Sequence, residues 1–344
     1  MIYHRRINES YMDYEERLYR NQSMYNLSWS EINKLLNLNQ HPDTTRKTSY
    51  GYLRRVDQER RHNFDKAIMI INDLHLPFER EEVLEIINKH KAEITALVIG
   101  GDFMDCKSIS KFPQIKTMRI EDELIYAYNF LKKIRKILNK NQKLIIIDGN
   151  HEERWYKDIC KMQEKDMQKF INPRIINMLI DGFTIYNEDG KKVYDGIDDV
   201  IYIPHWFVNI DKKVIVCHPK NFSAVKGKML ENSVQHFVNR NEIFDVLVLG
   251  HTHKYSNGIV DRYQGKFAIE NGCLCQPQPY ADSGKLSYTP QSCCYTIIKY
   301  NDDEPVDYNN IKTYFLTNNL NEKSNFQVNS TEKYYVSTNE RGVK

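Results

Sequence analysis

Five short apolar runs, each delivering polar side chains of metal-ligating type at its end, constrain this chain more than any other feature. They are AIMIIN (67–72), ALVIG (96–100), LIIID (144–148), VIVC (214–217) and DVLVLG (245–250). Each is rich in β-branched residues and nearly unbroken, the pattern of strands buried on both faces. Helical patterns lie between them. In 120–139, Leu124, Tyr128, Leu131, Ile134 and Leu138 recur at three- and four-residue steps, and Val83, Ile86 and Ile87 do likewise within Glu79–His90. Strands alternating with helices predict an α/β domain. Downstream, Phe267–Tyr300 and Tyr308–Leu316 read as β-rich, with turns at Gly272 and Pro277.

The runs are followed in turn by Asp73-Leu74-His75, Gly101-Asp102-Phe103-Met104-Asp105, Gly149-Asn150-His151-Glu152, His218, and His251-Thr252-His253. Open α/β sheets bind ligands beyond the carboxyl ends of their strands. Glycine stands beside the polar group where a strand must turn sharply and let a ligand approach. Imidazoles, carboxylates and an amide oxygen are ligands for first-row transition metals. They are too many for one tetrahedral zinc. Seven groups with one shared carboxylate suit two metals about 3.5–4 Å apart, an arrangement fit for phosphate-ester hydrolysis.

Composition narrows the remaining classes. The 344 residues are 41% hydrophobic, enough for a substantial core and against global disorder. A net charge of +3 is not that of a globally basic nucleic-acid binder. No apolar run approaches the roughly 20 residues needed to span a bilayer, so no membrane association is expected. The segment MIYHRRINES has no apolar core of a secretory signal. Seven scattered cysteines, an odd number without a CxxC pair, read as reduced thiols in a cytoplasmic compartment. Cys273, Cys275, Cys293 and Cys294 read as small residues on buried strands rather than as a metal site.

The ordered set D-x-H, G-D-x-x-D, G-N-H-E, a lone H and G-H-x-H resembles the calcineurin-like metallophosphoesterase family over about residues 66–300. The resemblance implies an αββα sandwich, two mixed sheets flanked by helices. It implies that Asp73, His75 and His253 hold one divalent ion, that Asn150, His218 and His251 hold a second, and that Asp102 bridges both. Family habit and the mixed N/O donors favour manganese over iron, zinc, nickel or magnesium. His151 resembles the family's phosphate-contacting histidine, able to protonate the leaving oxygen after in-line attack of a metal-bridging hydroxide. Asp105 and Glu152 read as groups that orient histidines. The fourth-motif histidine is often followed by Gly, whereas here Pro219 follows His218; His205 in IPHWF is a rival. Cys106-Lys107-Ser108 replaces the Arg that the serine/threonine phosphatase branch carries after its second motif.

The substrate is less legible. Ser28-Trp29-Ser30-Glu31 is a capping box opening a helix with Ile32, Leu35, Leu36 and Leu38 on its apolar face. After the turn Asn39-Gln40-His41-Pro42, Asp43 opens a second helix carrying Thr44, Thr45, Arg46, Lys47, Arg54 and Arg55. With a helix near Glu9–Asn21, the segment resembles a helix-turn-helix unit, with those six residues as candidate DNA contacts. Residues 1–66 hold twelve Lys/Arg against nine Asp/Glu, a weak electrostatic footprint. The rival reading is a helical module that packs on the catalytic domain or makes homo-oligomer contacts. Such a module ahead of a metallophosphoesterase resembles phage-encoded DNA exonucleases or repair phosphoesterases, similar to SbcD-type nucleases in their catalytic core, with the host cytoplasm as the expected location. The match is partial, since that branch usually has His at the Asp105 position and GNHD rather than GNHE. A helix is expected over Arg154–Phe170, with Arg154, Trp155 and Tyr156 placed to pin a phosphate and stack a base. The expected organisation is thus a helix-turn-helix-like module (1–65), a phosphoesterase domain (66–317) and a polar tail (318–344). The expected function is DNA phosphodiester hydrolysis, against a phosphatase or nucleotide phosphodiesterase acting on small molecules or phosphoproteins.

Overall fold

The computed structural model describes residues 3–6, 9–60, 64–110, 118–161, 171–187, 190–260, 265–277 and 291–316. The polar tail expected at 318–344 and the second half of the helix expected at Arg154–Phe170 lie outside these residues.

The apolar runs form strands of two facing sheets. One sheet contains β1 (Lys66–Ile71), β2 (Ala96–Ile99), β3 (Lys143–Ile147), β6 (Val200–Ile203), β12 (Cys294–Tyr300) and β13 (Ile311–Phe315). Its order is β13-β12-β1-β2-β3-β6, with β1, β2, β3 and β6 parallel, β12 antiparallel to β1, and β13 antiparallel to β12 at the edge. The second contains β7 (Phe207–Ile210), β8 (Val214–Cys217), β9 (Val246–Leu249), β10 (Tyr255–Val260) and β11 (Lys266–Asn271), in the order β10-β11-β9-β8-β7.

Side-chain alternation explains why the runs are apolar throughout. Ile68, Ile70, Val98, Ile145 and Ile147 point inward and meet Val214, Val216, Val246, Val248 and Ile269 of the other sheet. The intervening residues Met69, Ile71, Leu97, Ile99, Leu144 and Ile146 face outward and pack under α4 (Val83–His90), α5 (Ile120–Ile137) and α7 (Ile175–Asp181). On the far side, Ile215, Cys217, Leu247 and Leu249 pack under α8 (Lys228–Asn239). The layers are therefore helix, sheet, sheet, helix, the αββα sandwich expected from the sequence.

In residues 153–204 the described first half of the expected helix is present, and a hairpin is added that the sequence did not announce. The helix there, α6, spans Glu152–Cys160, and a hairpin follows from β4 (Gly182–Asn187) and β5 (Gly190–Asp195). The hairpin escapes a search for apolar runs because β5 (GKKVYD) buries only Tyr194, which stacks on Phe183 at 4.6 Å and meets Tyr128 edge-on.

The N-terminal helices α1 (Tyr11–Arg20), α2 (Trp29–Leu35) and α3 (Pro42–Arg60) enclose a separate small core of Tyr14, Leu18, Tyr19, Leu27, Ile32 and Leu36. Polar contacts tie it to α4: Arg6 to Glu85 at 2.6 Å, Lys89 to Asp13 at 3.1 Å, and Asn88 Nδ2 to the Arg20 carbonyl at 2.9 Å. Among the described residues, no helix is long and apolar enough to cross a membrane.

Candidate metal centre

Strands β1, β2 and β3 of one sheet and β8 and β9 of the other end at the same edge of the sandwich. Their outgoing loops carry the polar motifs. Asp73, His75, Asp102, His251 and His253 all adopt left-handed backbone, with φ between 49° and 78°. Non-glycine residues visit this region rarely, at about 1–3 kcal/mol each, and persist where their surroundings hold them. Here hydrogen bonds between the loops do so. His75 N donates to Asp102 O (2.9 Å), His151 N to Asp102 Oδ1 (2.9 Å), and His251 N to Asp73 Oδ2 (3.0 Å). Two glycines permit the approach. A Cβ on Gly149 would lie 2.0 Å from Asp102 Oδ1, and one on Gly101, whose φ is +89°, would lie 2.5 Å from His218 Nδ1.

The structure brings Asp73, His75, Asp102, Asn150, His218, His251 and His253 together. His253 Nε2 lies 3.1 Å from His75 Nε2 and 3.2 Å from Asp73 Oδ1. His218 Nε2 lies 3.2 Å from both Asp102 Oδ2 and Asn150 Oδ1, and His251 joins Asp102 and His218 in one potential ligand group. Asp102 Oδ2 is also 3.7 Å from His75 Nε2, so this carboxylate faces both subsets. Metal–ligand bonds of about 2.0–2.2 Å place neighbouring donors roughly 3–3.5 Å apart. The donor spacing and the mixed imidazole, carboxylate and amide chemistry therefore fit divalent ions. His205, the rival fourth-motif histidine, sits exposed between β6 and β7, where its carbonyl accepts from Asp148 N.

Electrostatics agree with a site that wants positive charge. Burial raises the Asp73 and Asp102 carboxyls, but the surrounding imidazoles outweigh it and hold both well below the usual range. Burial lowers His75, yet its contacts with Asp105, Asp73 and Asp102 push it up to about 10. His253 is likewise pushed up to about 10. His251 is lowered to about 4, by burial first and then by the charge on His218, which leaves a neutral imidazole.

Outer groups set the ring orientations. Asp105 Oδ1 lies 2.9 Å from His75 Nδ1 and 3.0 Å from His151 Nδ1, and the Asp105 carbonyl lies 2.8 Å from His151 Nδ1. The Gly100 carbonyl lies 2.9 Å from His218 Nδ1. Glu152 differs from its expected role, because its carboxylate touches no histidine. It accepts from Met104 N (2.8 Å) and Gly149 N (2.9 Å), tying the β2 and β3 loops together. Sequence reasoning missed Gln291 and Cys275, whose side chains lie 2.5 Å and 4.0 Å from His253 Nδ1. Nothing local marks them, since Cys275 arrives on the segment after β11 and Gln291 on the approach to β12.

The expected substrate-contact residues divide. Arg154 donates to the Asp105 carbonyl (2.8 Å) and lies 2.9 Å from His151 Nε2, at the centre itself. Tyr156 is exposed, under the Arg174 guanidinium. Trp155 is a correction: its indole N–H donates to the Asn172 carbonyl (2.9 Å) and its ring packs on the core under α7, so it is not presented for stacking. Of the α3 residues, Thr44, Arg46, Lys47, Arg54 and Arg55 are exposed. Thr45 is a second correction: it is fully buried and bonded to Asn33 and Gln40, and it fastens the α2–α3 turn instead of facing outward.

An αββα sandwich with seven metal-type donors at the strand ends defines a metallophosphoesterase fold and site. The family model described as calcineurin-like phosphoesterase matches residues 66–255, and the chain belongs to that family. Membership implies a hydrolase acting on phosphoesters with divalent metal ions. Similar solved structures include zinc-bound Vps29 from Entamoeba histolytica (12% identity, 73% of this chain and 98% of that one, TM-score 0.34). They also include a metallophosphoesterase from Sphaerobacter thermophilus (12%, 74% and 89%, TM-score 0.37). A third is a protein serine/threonine phosphatase from Saccharomyces cerevisiae (14%, 78% and 89%, TM-score 0.34). No curated protein matches the chain.

Proposed function

We propose that the protein is a dinuclear-metal-dependent phosphodiesterase whose substrate is DNA. The observation that carries the hydrolytic part is the convergence of Asp73, His75, Asp102, Asn150, His218, His251 and His253 at one edge of the sandwich. Asp73, His75 and His253 would hold one ion, Asn150, His218 and His251 a second, and Asp102 both. Bound there, two divalent ions supply Lewis-acid polarisation of the phosphoryl oxygens and a nucleophile at neutral pH.

The chain's own residues orient the substrate and move the proton. Asp105 takes the Nδ1 hydrogens of His75 and His151, which aims His75 Nε2 into the proposed ligand set and His151 Nε2 toward the reacting phosphate. Arg154 holds a guanidinium N–H against His151 Nε2. An incoming phosphate oxygen competes for that N–H, so Arg154 swings to the phosphate and frees the His151 Nε2 lone pair, which takes up a proton from solvent and passes it to the leaving oxygen.

For DNA as substrate, the support is the exposed basic set Arg46, Lys47, Arg54 and Arg55 on α3 beside a helical turn of recognition type. One observation favours a second reading, a nucleotide phosphodiesterase or phosphatase with structural N-terminal helices. Arg20, Arg60 and Glu16 are committed to ion pairs inside the module, and its contacts with α4 are those of a packed element. The test is digestion of end-labelled single- and double-stranded DNA with Mn²⁺ by the wild type and His251→Ala. Cleavage by the wild type alone supports the nuclease. Intact DNA with a small diester still hydrolysed moves the assignment to the second reading.

A further inference from the structure

A cavity of about 310 Å³ opens beside the metal centre, between β8 and α8. His218 belongs to both. Its Nε2 is 3.2 Å from Asp102 Oδ2, and the residue borders the cavity while its ring stays buried on the side of the donors. The opposite walls are Trp206, Met229 and His236, with Trp206 and His236 edge-to-face at 5.3 Å between centroids. Two side-chain amides, Asn221 and Asn232, line it together with Lys220 and Ser233, and no carboxylate contributes to it. Pro219, the residue that departs from the family's usual glycine after the fourth-motif histidine, forms part of the same wall.

These features specify an occupant. The volume is at the small end of ligand pockets, which run about 300–1,000 Å³, so it takes one moiety rather than an extended chain. Indole, thioether and imidazole surfaces suit a flat aromatic ring. An amide offers both donor and acceptor, which suits a heterocycle edged with both. A plain alkyl group would leave all of these unmatched, and a phenyl ring would leave the amides so.

We infer that this cavity is a nucleobase subsite, which seats the base of a nucleotide whose phosphodiester lies at the metal centre. The inference rests on the phosphodiesterase reading above and names its substrate class, a nucleoside-bearing phosphodiester. Trp206, whose ring also stacks on Phe237 at 5.4 Å, supplies an aromatic wall, Asn232 and Asn221 read the base edge, and His218 lies between the subsite and Asp102.

The test compares two diesters with the same leaving group, thymidine 5′-(p-nitrophenyl phosphate) and methyl p-nitrophenyl phosphate, with Mn²⁺. The readout is the ratio of their kcat/KM values. The wild type is expected to prefer the thymidine ester by roughly tenfold or more, since stacking of one base is worth that much. Trp206→Ala should bring the ratio to within about twofold of unity, and Trp206→Phe should keep most of it. Asn232 is exposed on α8, so Asn232→Ala reads the subsite without disturbing the core; it should lower the ratio severalfold. A wild-type ratio near one, or variants that lower both substrates equally, overturns the subsite and leaves the phosphodiesterase standing. Failure of the wild type to hydrolyse either ester overturns the phosphodiesterase reading, and the subsite falls with it.

Discussion

The Asp102 carboxylate meets three loops at once, through His151 N, His218 Nε2 and His75 Nε2. Asp102→Asn should therefore abolish metal binding, and His251→Ala should lower it. Atomic emission on the purified variants measures both, and retention of two ions by Asp102→Asn would contradict the shared-ligand assignment. His151→Ala should behave differently. Its ring is held by Asp105 and Arg154 outside the proposed ligand set, so kcat should drop about 10²–10⁴-fold with metal content retained. Full activity in this variant would remove the proton-transfer role. Gly149→Ala places a methyl group on Asp102 and should lose metal as completely as a ligand replacement. The motif residues themselves were readable from their order along the chain. Their partners Gln291, Cys275 and the Gly100 carbonyl were not, because those contacts join loops far apart in sequence.

Elements obey their local signals to different degrees. The S-x-x-E signature at Ser28 forms a full capping box, with Ser28 N donating to Glu31 Oε2 at 2.8 Å. Ser28→Ala should cost about 1 kcal/mol in urea unfolding, if module and domain unfold together. α4 carries a stronger dependence. Glu93, just beyond it, binds His90 and Lys299 of β12, the latter at 2.6 Å. Burial would raise its pKa, but these partners outweigh burial and lower it from 4.5 to about 2. An acid with a depressed folded pKa adds stability that is complete above pH 4.5 and is lost as pH falls toward 2. Glu93→Gln should cost up to about 3 kcal/mol at pH 7 and flatten the stability curve between those values. An unchanged slope in that window would assign acid sensitivity elsewhere. The β4–β5 hairpin was illegible, because a ribbon that packs one aromatic pair has no apolar run to announce it.

For the whole molecule, the open question is whether the N-terminal helices engage DNA or only support α4. Replacing Arg46, Lys47, Arg54 and Arg55 by Gln leaves the module's core intact, since all four are exposed. If α3 contacts phosphates, DNA affinity should fall and its logarithmic salt slope should shrink by up to about 3–4. Binding isotherms between 50 and 200 mM salt decide this, and an unaltered slope would favour a structural module.

The sequence by itself determined which strands are buried on both faces, because unbroken β-branched runs have no other stable placement. It also marked the candidate donors at the strand ends, with His205 and His218 as rivals for one of them. Tertiary structure decided what depends on proximity between distant segments. It excluded His205 and turned Thr45 and Trp155 inward. It gave Glu152 two backbone amides instead of a histidine. It also set Trp206, His236 and two asparagines around a cavity next to His218. Local pattern fixes the face on which a side chain emerges. What it meets there depends on how the two sheets and their helices close around it.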